Sequence, residues 1–178
     1  TGTAEIVPLA DKISDSQIIV TLPSGVKAGL QSVQVIHRKK MGEPPVAHEG
    51  TESNPEAFVL TPVITGQPEY KADPVENSAD ITIHVNPPVQ EKQHVVLMLN
   101  ELKNNPDDPM PPYAYSFTLP PEDVSELPDP LTKVVFTLKK ADKIHKGEYL
   151  VRIQVDGAMS FLDQDTEGNY SAPKVIIV

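Results

Sequence analysis

The sequence predicts an all-β protein built from two consecutive β-sandwiches. Apolar side chains recur at every second position in short segments along the chain, as half-buried antiparallel strands require. The 19 prolines stand singly or in pairs between such segments, which is the placement of turns and strand edges. No window of a dozen residues has a helical period, although residues 122–127 are compatible with one short helical turn. The pattern therefore indicates strands and turns with very little helix.

The first 66 residues contain about four predicted strands. They lie around residues 5–9, 17–22, 32–37 and 57–64, and the inward-facing residues predicted for them are Ile18, Val20, Leu22, Val33 and Val35. Because an immunoglobulin-like sandwich needs about seven strands, we expect this part to be a sandwich that lacks its amino-terminal strands. A change to polar sequence at residues 65–69 marks the predicted boundary between a domain 1–66 and a domain 67–178.

Residues 67–178 contain roughly six or seven predicted strands, enough for a complete sandwich. Tyr149 follows Gly147 at the start of the penultimate strand, the position of the tyrosine corner in Greek-key sandwiches. The chain has neither Cys nor Trp, so the core depends on aliphatic packing. The predicted inward-facing residues are Ile81, Ile83, Val85, Val95, Leu97, Leu99, Tyr115, Phe117, Leu119, Val134, Phe136, Leu138, Tyr149, Val151, Ile153 and Val155.

Composition excludes several classes of function. Without cysteine there is no disulfide framework, thiolate zinc site or cysteine nucleophile. The net charge of −10 repels phosphate backbones, and the basic run at residues 37–40 is short. No apolar run approaches the roughly 20 residues of a membrane helix, and the polar start at residues 1–5 does not resemble a signal peptide. We expect a soluble chain that binds neither nucleic acid nor membrane.

The chain carries no motif of catalysis or cofactor binding. The sequences G-x-S-x-G, G-x-G-x-x-G and the Walker motif are all missing. The five histidines are dispersed, without a pair at metal-ligand spacing. We therefore expect a noncatalytic chain without a cofactor.

One acidic segment has the start of a calcium-loop pattern. Asp163, Asp165 and Glu167 alternate ahead of Gly168, as oxygen ligands do in such loops. The third ligand position is Glu, however, and the twelfth is Lys174 instead of a bidentate Glu. The preferred interpretation is a solvated hairpin loop, with calcium binding as the alternative.

Two further features bear on binding. Tyr113 and Tyr115 lie beside prolines, where exposed rings would suit sugar recognition. Because Tyr115 shares the inward phase of Phe117, we expect it in the core, and Tyr113 remains as the candidate for sugar binding. Aromatic residues make up only 5% of the chain, which argues against a carbohydrate- or cell-surface-binding module, the alternative function. The basic run Arg38, Lys39 and Lys40 is either a solvated loop or a contact for an acidic partner.

Several segments resemble known domains. Residues 22–35 (LPSGVKAGLQSVQV), 52–54 (ESN) and 58–62 (FVLTP) resemble the IPT/TIG type of immunoglobulin-like domain. With residues 147–158 (GEYLVRIQVDGA) and 170–175 (YSAPKV), they are similar to the carboxy-terminal immunoglobulin-like region of the Pvc16-type (DUF4255) family. That family comprises tail-terminator or cap proteins of phage-tail-like contractile injection systems.

The resemblance implies a structural, protein-interaction role. Its partners would be the tail tube, the sheath or neighbouring cap proteins, contacted through exposed strand edges and loops. It also implies cytoplasmic assembly into an injection particle, and a ring homo-oligomer formed through a family domain that lies outside these 178 residues. A transcription-factor role, known for other IPT domains, is disfavoured by the acidic charge.

Overall fold

A computed structural model of the chain describes residues 3–103, 110–119, 131–139 and 142–178. The all-β fold class predicted from the sequence is confirmed, since the described residues consist of strands and loops with only short 3-10 turns, among them Ala10–Lys12. The helical turn considered for residues 122–127 lies outside the described residues. In the described ranges no helix is long and apolar enough to cross a membrane.

Fifteen strands are present in the described residues. Their bounds are β1 Gly29–Val33, β2 Ile36–Met41, β3 Val46–Glu52, β4 Glu56–Leu60, β5 Val63–Ile64, β6 Glu69–Asp73, β7 Ser78–Val89, β8 Val95–Glu101, β9 Ala114–Leu119, β10 Leu131–Lys139, β11 Gly147–Val155, β12 Ala158–Met159, β13 Asp163–Gln164, β14 Tyr170–Ala172 and β15 Lys174–Ile177.

Strands from β5 onward, except β13 and β14, build two antiparallel sheets of an immunoglobulin-like sandwich. In the first sheet β7 pairs with β10 on one side and with β5 and β6 on the other. In the second sheet the order is β12-β11-β8-β9. Strand β12 pairs with the carboxy-terminal end of β11, and β15 pairs with the amino-terminal half of β11. Because β5 pairs with β7, residues 63–64 lie with the strands that follow them.

The alternating residues predicted for this part form one core between the two sheets. Leu97 lies opposite Ile153 on one side and Phe117 on the other, and Ile81 lies opposite Phe136 in the facing sheet. Hydrophobic burial therefore explains why the strands alternate as they do.

The tyrosine corner is confirmed. Tyr149 is fully buried in the core, and its hydroxyl donates a hydrogen bond to the backbone oxygen of His145 at 2.7 Å. The Tyr115 hydroxyl accepts from the backbone N–H of His145 at 3.1 Å. The two phenols thus fix the turn that leads into β11.

The final strand of the second sheet is split by an excursion. Ser160 donates its backbone N–H to the oxygen of Ile153, and its hydroxyl accepts from the N–H of Ile153. The chain then leaves the sheet, forms the hairpin β13–β14, and returns at Pro173, whose oxygen accepts from the N–H of Val151. We call residues 161–172 the inserted hairpin.

The part before residue 62 differs from the strands predicted for it. Residues 5–9 and 17–22 join no ladder of the described residues, where Ile18 forms an isolated bridge with Ile13. Val20 and Leu22, expected to face inward, are exposed. The alternation exists in the sequence, but in the described residues no second sheet covers it. The strand β3 was not predicted.

Candidate functional site

Strands β1 to β4 form one two-stranded ribbon. Gly29–Val33 pairs with Glu56–Leu60, and Ile36–Met41 pairs with Val46–Glu52. Hydrogen bonds between Val35 and Ser53 join the two ladders, one from Ser53 N–H to the Val35 oxygen at 2.9 Å and one from Val35 N–H to the Ser53 hydroxyl at 3.0 Å. At about 3.3 Å per residue, the ribbon extends roughly 40 Å.

Apolar side chains of the ribbon are exposed. Leu30 and Val59 lie directly opposite each other and are 72% and 57% exposed. Every side chain of β2 is exposed as well. The other exposed large apolar residues of the ribbon are Val33, Val35, Ile36, Met41 and Val46. Exposed apolar surface on an extended element is typical of a protein contact.

The free edges of the ribbon offer a second kind of contact. In a two-stranded ladder each strand has one edge whose N–H and C=O groups point away from its partner. In the described residues, no further strand pairs with either edge. A strand of another protein is therefore able to add to the ribbon by main-chain hydrogen bonds.

The basic run predicted to open a loop lies within strand β2 instead. Lys39 lies opposite His48, and Lys40 opposite Ala47. Arg38 occupies a register shift between these pairs and forms an ion pair with Glu5 at 2.9 Å. The two lysines thus add positive charge near the tip of the ribbon.

Gly50 is required by the close approach of the two ribbon strands. A Cβ atom at this position would lie 1.8 Å from the backbone oxygen of His37, far inside any real contact. The strands approach in this way at the register shift between His37 and Lys39, where bulges twist a ribbon. Any side chain at residue 50 would force the strands apart.

A polar cluster attaches the base of the ribbon to the sandwich. Gln93 is almost fully buried, and its Nε2 donates to the oxygen of Ala28 at 3.0 Å and to Asp156 Oδ2 at 2.8 Å. Its Oε1 accepts from the N–H of Gln90 at 3.0 Å. Because all of its hydrogen-bonding groups are used, Gln93 is held in one orientation. Ala28 itself is part of the sandwich core.

The acidic residues considered for calcium lie in the inserted hairpin. Asp165 Oδ1 accepts the backbone N–H groups of Glu167 and Asn169, both at 2.9 Å. These bonds hold the pKa of Asp165 below its usual value of 3.8, and the bond from Asn169 has the largest effect. Within the ranges that the structure covers, no three acidic, histidine or cysteine side chains are placed to hold a metal ion. Asp165 stabilises its own turn, whereas Asp163 makes no such bond to any described residue.

This geometry predicts a pH-dependent turn. Since the pKa of Asp165 is lower in the folded chain, its stabilising effect is present above about pH 4 and is lost as the pH falls through the lowered value. In an NMR titration, the amide signals of Glu167 and Asn169 should shift at acid pH. Asp165→Ala should abolish that transition and Asp163→Ala should retain it. An unchanged transition in Asp165→Ala would contradict the assignment.

Tyr113, the candidate for sugar stacking, is partly covered. Its ring stacks on His145 at a centroid distance of 3.9 Å and an angle of 9°. Its backbone N–H donates to Glu101 Oε2 at 2.9 Å, and its side chain packs against the core. Tyr115 also packs there, as predicted. With one face of Tyr113 occupied, the site lacks an open two-sided aromatic platform.

Comparison with known proteins separates the sandwich from the ribbon. Residues 62–176 match a family described as a domain of unknown function, DUF8756. The chain belongs to the DUF8756 family. No curated protein and no solved structure matches it. The DUF8756 match begins one residue before β5 and ends within β15, so it contains the sandwich and leaves the ribbon outside.

Proposed function

We propose that this DUF8756 protein is a noncatalytic protein-interaction module whose ribbon, residues 29–60, docks on a protein partner. The observation that supports the proposal most directly is the exposed apolar pair Leu30 and Val59 on a ladder with two open edges. A two-stranded ribbon is marginally stable by itself in water. Contact with a partner would stabilise it and cover its apolar face.

The nature of the partner is proposed from the sequence. The resemblance of residues 22–35, 58–62 and 147–158 to tail-terminator proteins supports tail-tube, sheath or cap proteins of a contractile injection system as partners. On this proposal the module joins the particle during assembly in the cytoplasm. The ribbon would then be an accessory contact beside the capping domain of that family.

The test is to change the ribbon surface while preserving its pairing. In the double variant Leu30→Lys/Val59→Glu, opposite charges replace an opposed apolar pair, so the ladder keeps a favourable cross-strand contact. If these residues form the centre of the contact, affinity for the partner should fall by at least about tenfold, or about 1.4 kcal/mol. Biolayer interferometry with purified sheath, tube and cap proteins would measure the change.

The matched control is Val75→Lys. Val75 is 84% exposed and lies in the turn between β6 and β7, away from the ribbon. Its substitution should leave affinity unchanged. Equal affinity for the ribbon variant and the wild-type chain would refute docking through the ribbon. Strong binding on a glycan array without any association with the tail proteins would favour the carbohydrate-binding alternative.

A further inference from the structure

A cavity opens between the inserted hairpin and the outer face of the second sheet. Its volume is about 250 Å³. The sheet contributes side chains of β8 and β11, and the hairpin region contributes those that cover them. The lining residues are Asn100, Leu150, Arg152, Ser160, Leu162 and Tyr170.

Arg152 at this cavity has no acidic partner in the described part of the chain. Its Nη2 donates to Asn100 Oδ1 at 3.0 Å, and its Nη1 donates to the Met159 sulfur at 3.3 Å. A thioether is a weak acceptor. The Nε atom is buried and has no hydrogen-bond partner within the described ranges. Among the described residues no carboxylate lies within ion-pair distance of the guanidinium, so its charge is not compensated by the fold.

The remaining polar lining is rich in donors. The Ser160 hydroxyl accepts from the Ile153 N–H and still has its own proton to donate. Since Asn100 uses its oxygen for Arg152, its NH₂ group is the part left for another contact. Tyr170, which also lines the cavity, carries a hydroxyl that is a further donor. Among the residues that the structure describes, no aspartate or glutamate lines the cavity.

We propose that this cavity binds a carboxylate group, with Arg152 as the principal contact. A guanidinium presents two parallel N–H groups that match the two oxygens of a carboxylate. A single positive charge in a chain of net charge −10 suits a monoanionic group better than a doubly charged phosphate. Leu150 and Leu162 would contact a short apolar stem next to the carboxylate, as in a glutamate side chain or a small dicarboxylic acid.

The direct test is an NMR titration of the whole chain with sodium glutarate at constant ionic strength. Saturable shifts are expected at the Arg152 Nε–H and at the amides of Asn100, Leu162 and Tyr170. Glutaramide, a neutral molecule of similar shape, should cause no such shifts. Saturation by glutarate that leaves the Arg152 side-chain signal unmoved, or equal binding of glutaramide, would overturn the proposal, as would the lack of any saturable shift.

Variants separate the guanidinium from general charge. Arg152→Met retains the length of the side chain and should weaken glutarate binding at least about tenfold, while Arg152→Lys should weaken it less because the charge remains. Arg38→Met, on the ribbon, is the matched control and should bind as the wild-type chain does. Undiminished affinity in folded Arg152→Met would overturn the assignment. If that variant does not fold, the wild-type Arg152 Nε–H signal still decides the outcome.

Two further ligands identify the source of the carboxylate. An N-acetylated glutamate amide presents only a side-chain carboxylate, whereas a short peptide with a free terminus and no acidic side chain presents only a chain end. Tighter binding of the first than of free glutarate would indicate an acidic side chain of a partner, and tighter binding of the second would indicate a carboxy terminus. Tightest binding of glutarate itself would indicate a small metabolite. All three outcomes agree with the proposal that the cavity binds a carboxylate group. If none of the three ligands binds, the proposal is rejected.

Discussion

Replacing Leu97 with alanine is expected to destabilise the sandwich by about 3 to 5 kcal/mol, close to the upper range for a buried leucine. Leu97 is fully buried and lies between Ile153 and Phe117 of the neighbouring strands. Because the surrounding strands are held by their ladders, they are unable to collapse into the space left by the missing atoms. Urea unfolding followed by circular dichroism would show a lower midpoint with little change in slope.

The matched control is Leu30→Ala in the ribbon. The same atoms are deleted, but Leu30 is largely exposed, so the free energy of unfolding should change by less than about 0.5 kcal/mol. If Leu30→Ala destabilised the chain as much as Leu97→Ala, the ribbon would be packed in solution in a way that the structure does not show. A nearly neutral Leu97→Ala would contradict the assignment of the core.

Replacing Tyr149 with phenylalanine is expected to cost about 1 to 3 kcal/mol, the range for a buried hydrogen bond whose partner is left unsatisfied. The change removes the bond of 2.7 Å to the backbone oxygen of His145 and keeps the ring in the core. Tyr70→Phe is the control, since Tyr70 is partly buried against the same core and its hydroxyl has no hydrogen bond within the described residues. Equal losses in both variants would argue against the tyrosine corner.

Alkaline pH provides an independent measurement of the same residue. Burial, and secondarily the nearby Tyr115 and Glu101, raise the pKa of Tyr149 above its usual value of 10.0. The neutral phenol is therefore favoured in the folded chain, and its contribution to stability is present below pH 10 and is lost as the pH rises above that value. Tyr149→Phe should reduce this alkaline loss of stability. An unchanged pH profile would show that another group causes it.

The sandwich could be predicted from the sequence because its burial pattern is local. Alternation through Val95, Leu97 and Leu99, and through Val151 and Ile153, identified the inward-facing side chains directly, and all of these are buried. The tyrosine corner could be predicted for the same reason. Gly147 and Tyr149 are close in sequence, and the Tyr149 hydroxyl bonds to a residue only four positions upstream.

The first part of the chain could not be predicted in the same way. Ile18, Val20 and Leu22 alternate as regularly as the core residues do, yet each is more than 40% exposed. Alternation shows that a segment has an apolar face, but it carries no information about what covers that face. Strand β3 was missed because His48 and Gly50 interrupt its apolar pattern.

The cavity beside Arg152 was also beyond sequence reasoning. Arg152 occupies the polar phase of β11, where a charged residue is expected to face solvent. Its half-buried environment arises because Leu162 and Tyr170, which follow it in the chain, come back over the outer face of the sheet. An arginine in the middle of a strand is a weak signal, and only the tertiary arrangement shows that no acidic side chain of the described residues pairs with it.

The split final strand has a practical consequence. Ser160 is hydrogen-bonded to Ile153, and Pro173 to Val151. Because Ile153 and Val151 are two residues apart on β11, the chain leaves and rejoins the sheet edge at neighbouring positions. The length of the intervening segment is therefore not dictated by the sandwich. This makes the position a natural graft site, where a foreign epitope or a recognition loop of another length would be displayed without disturbing the fold that carries it.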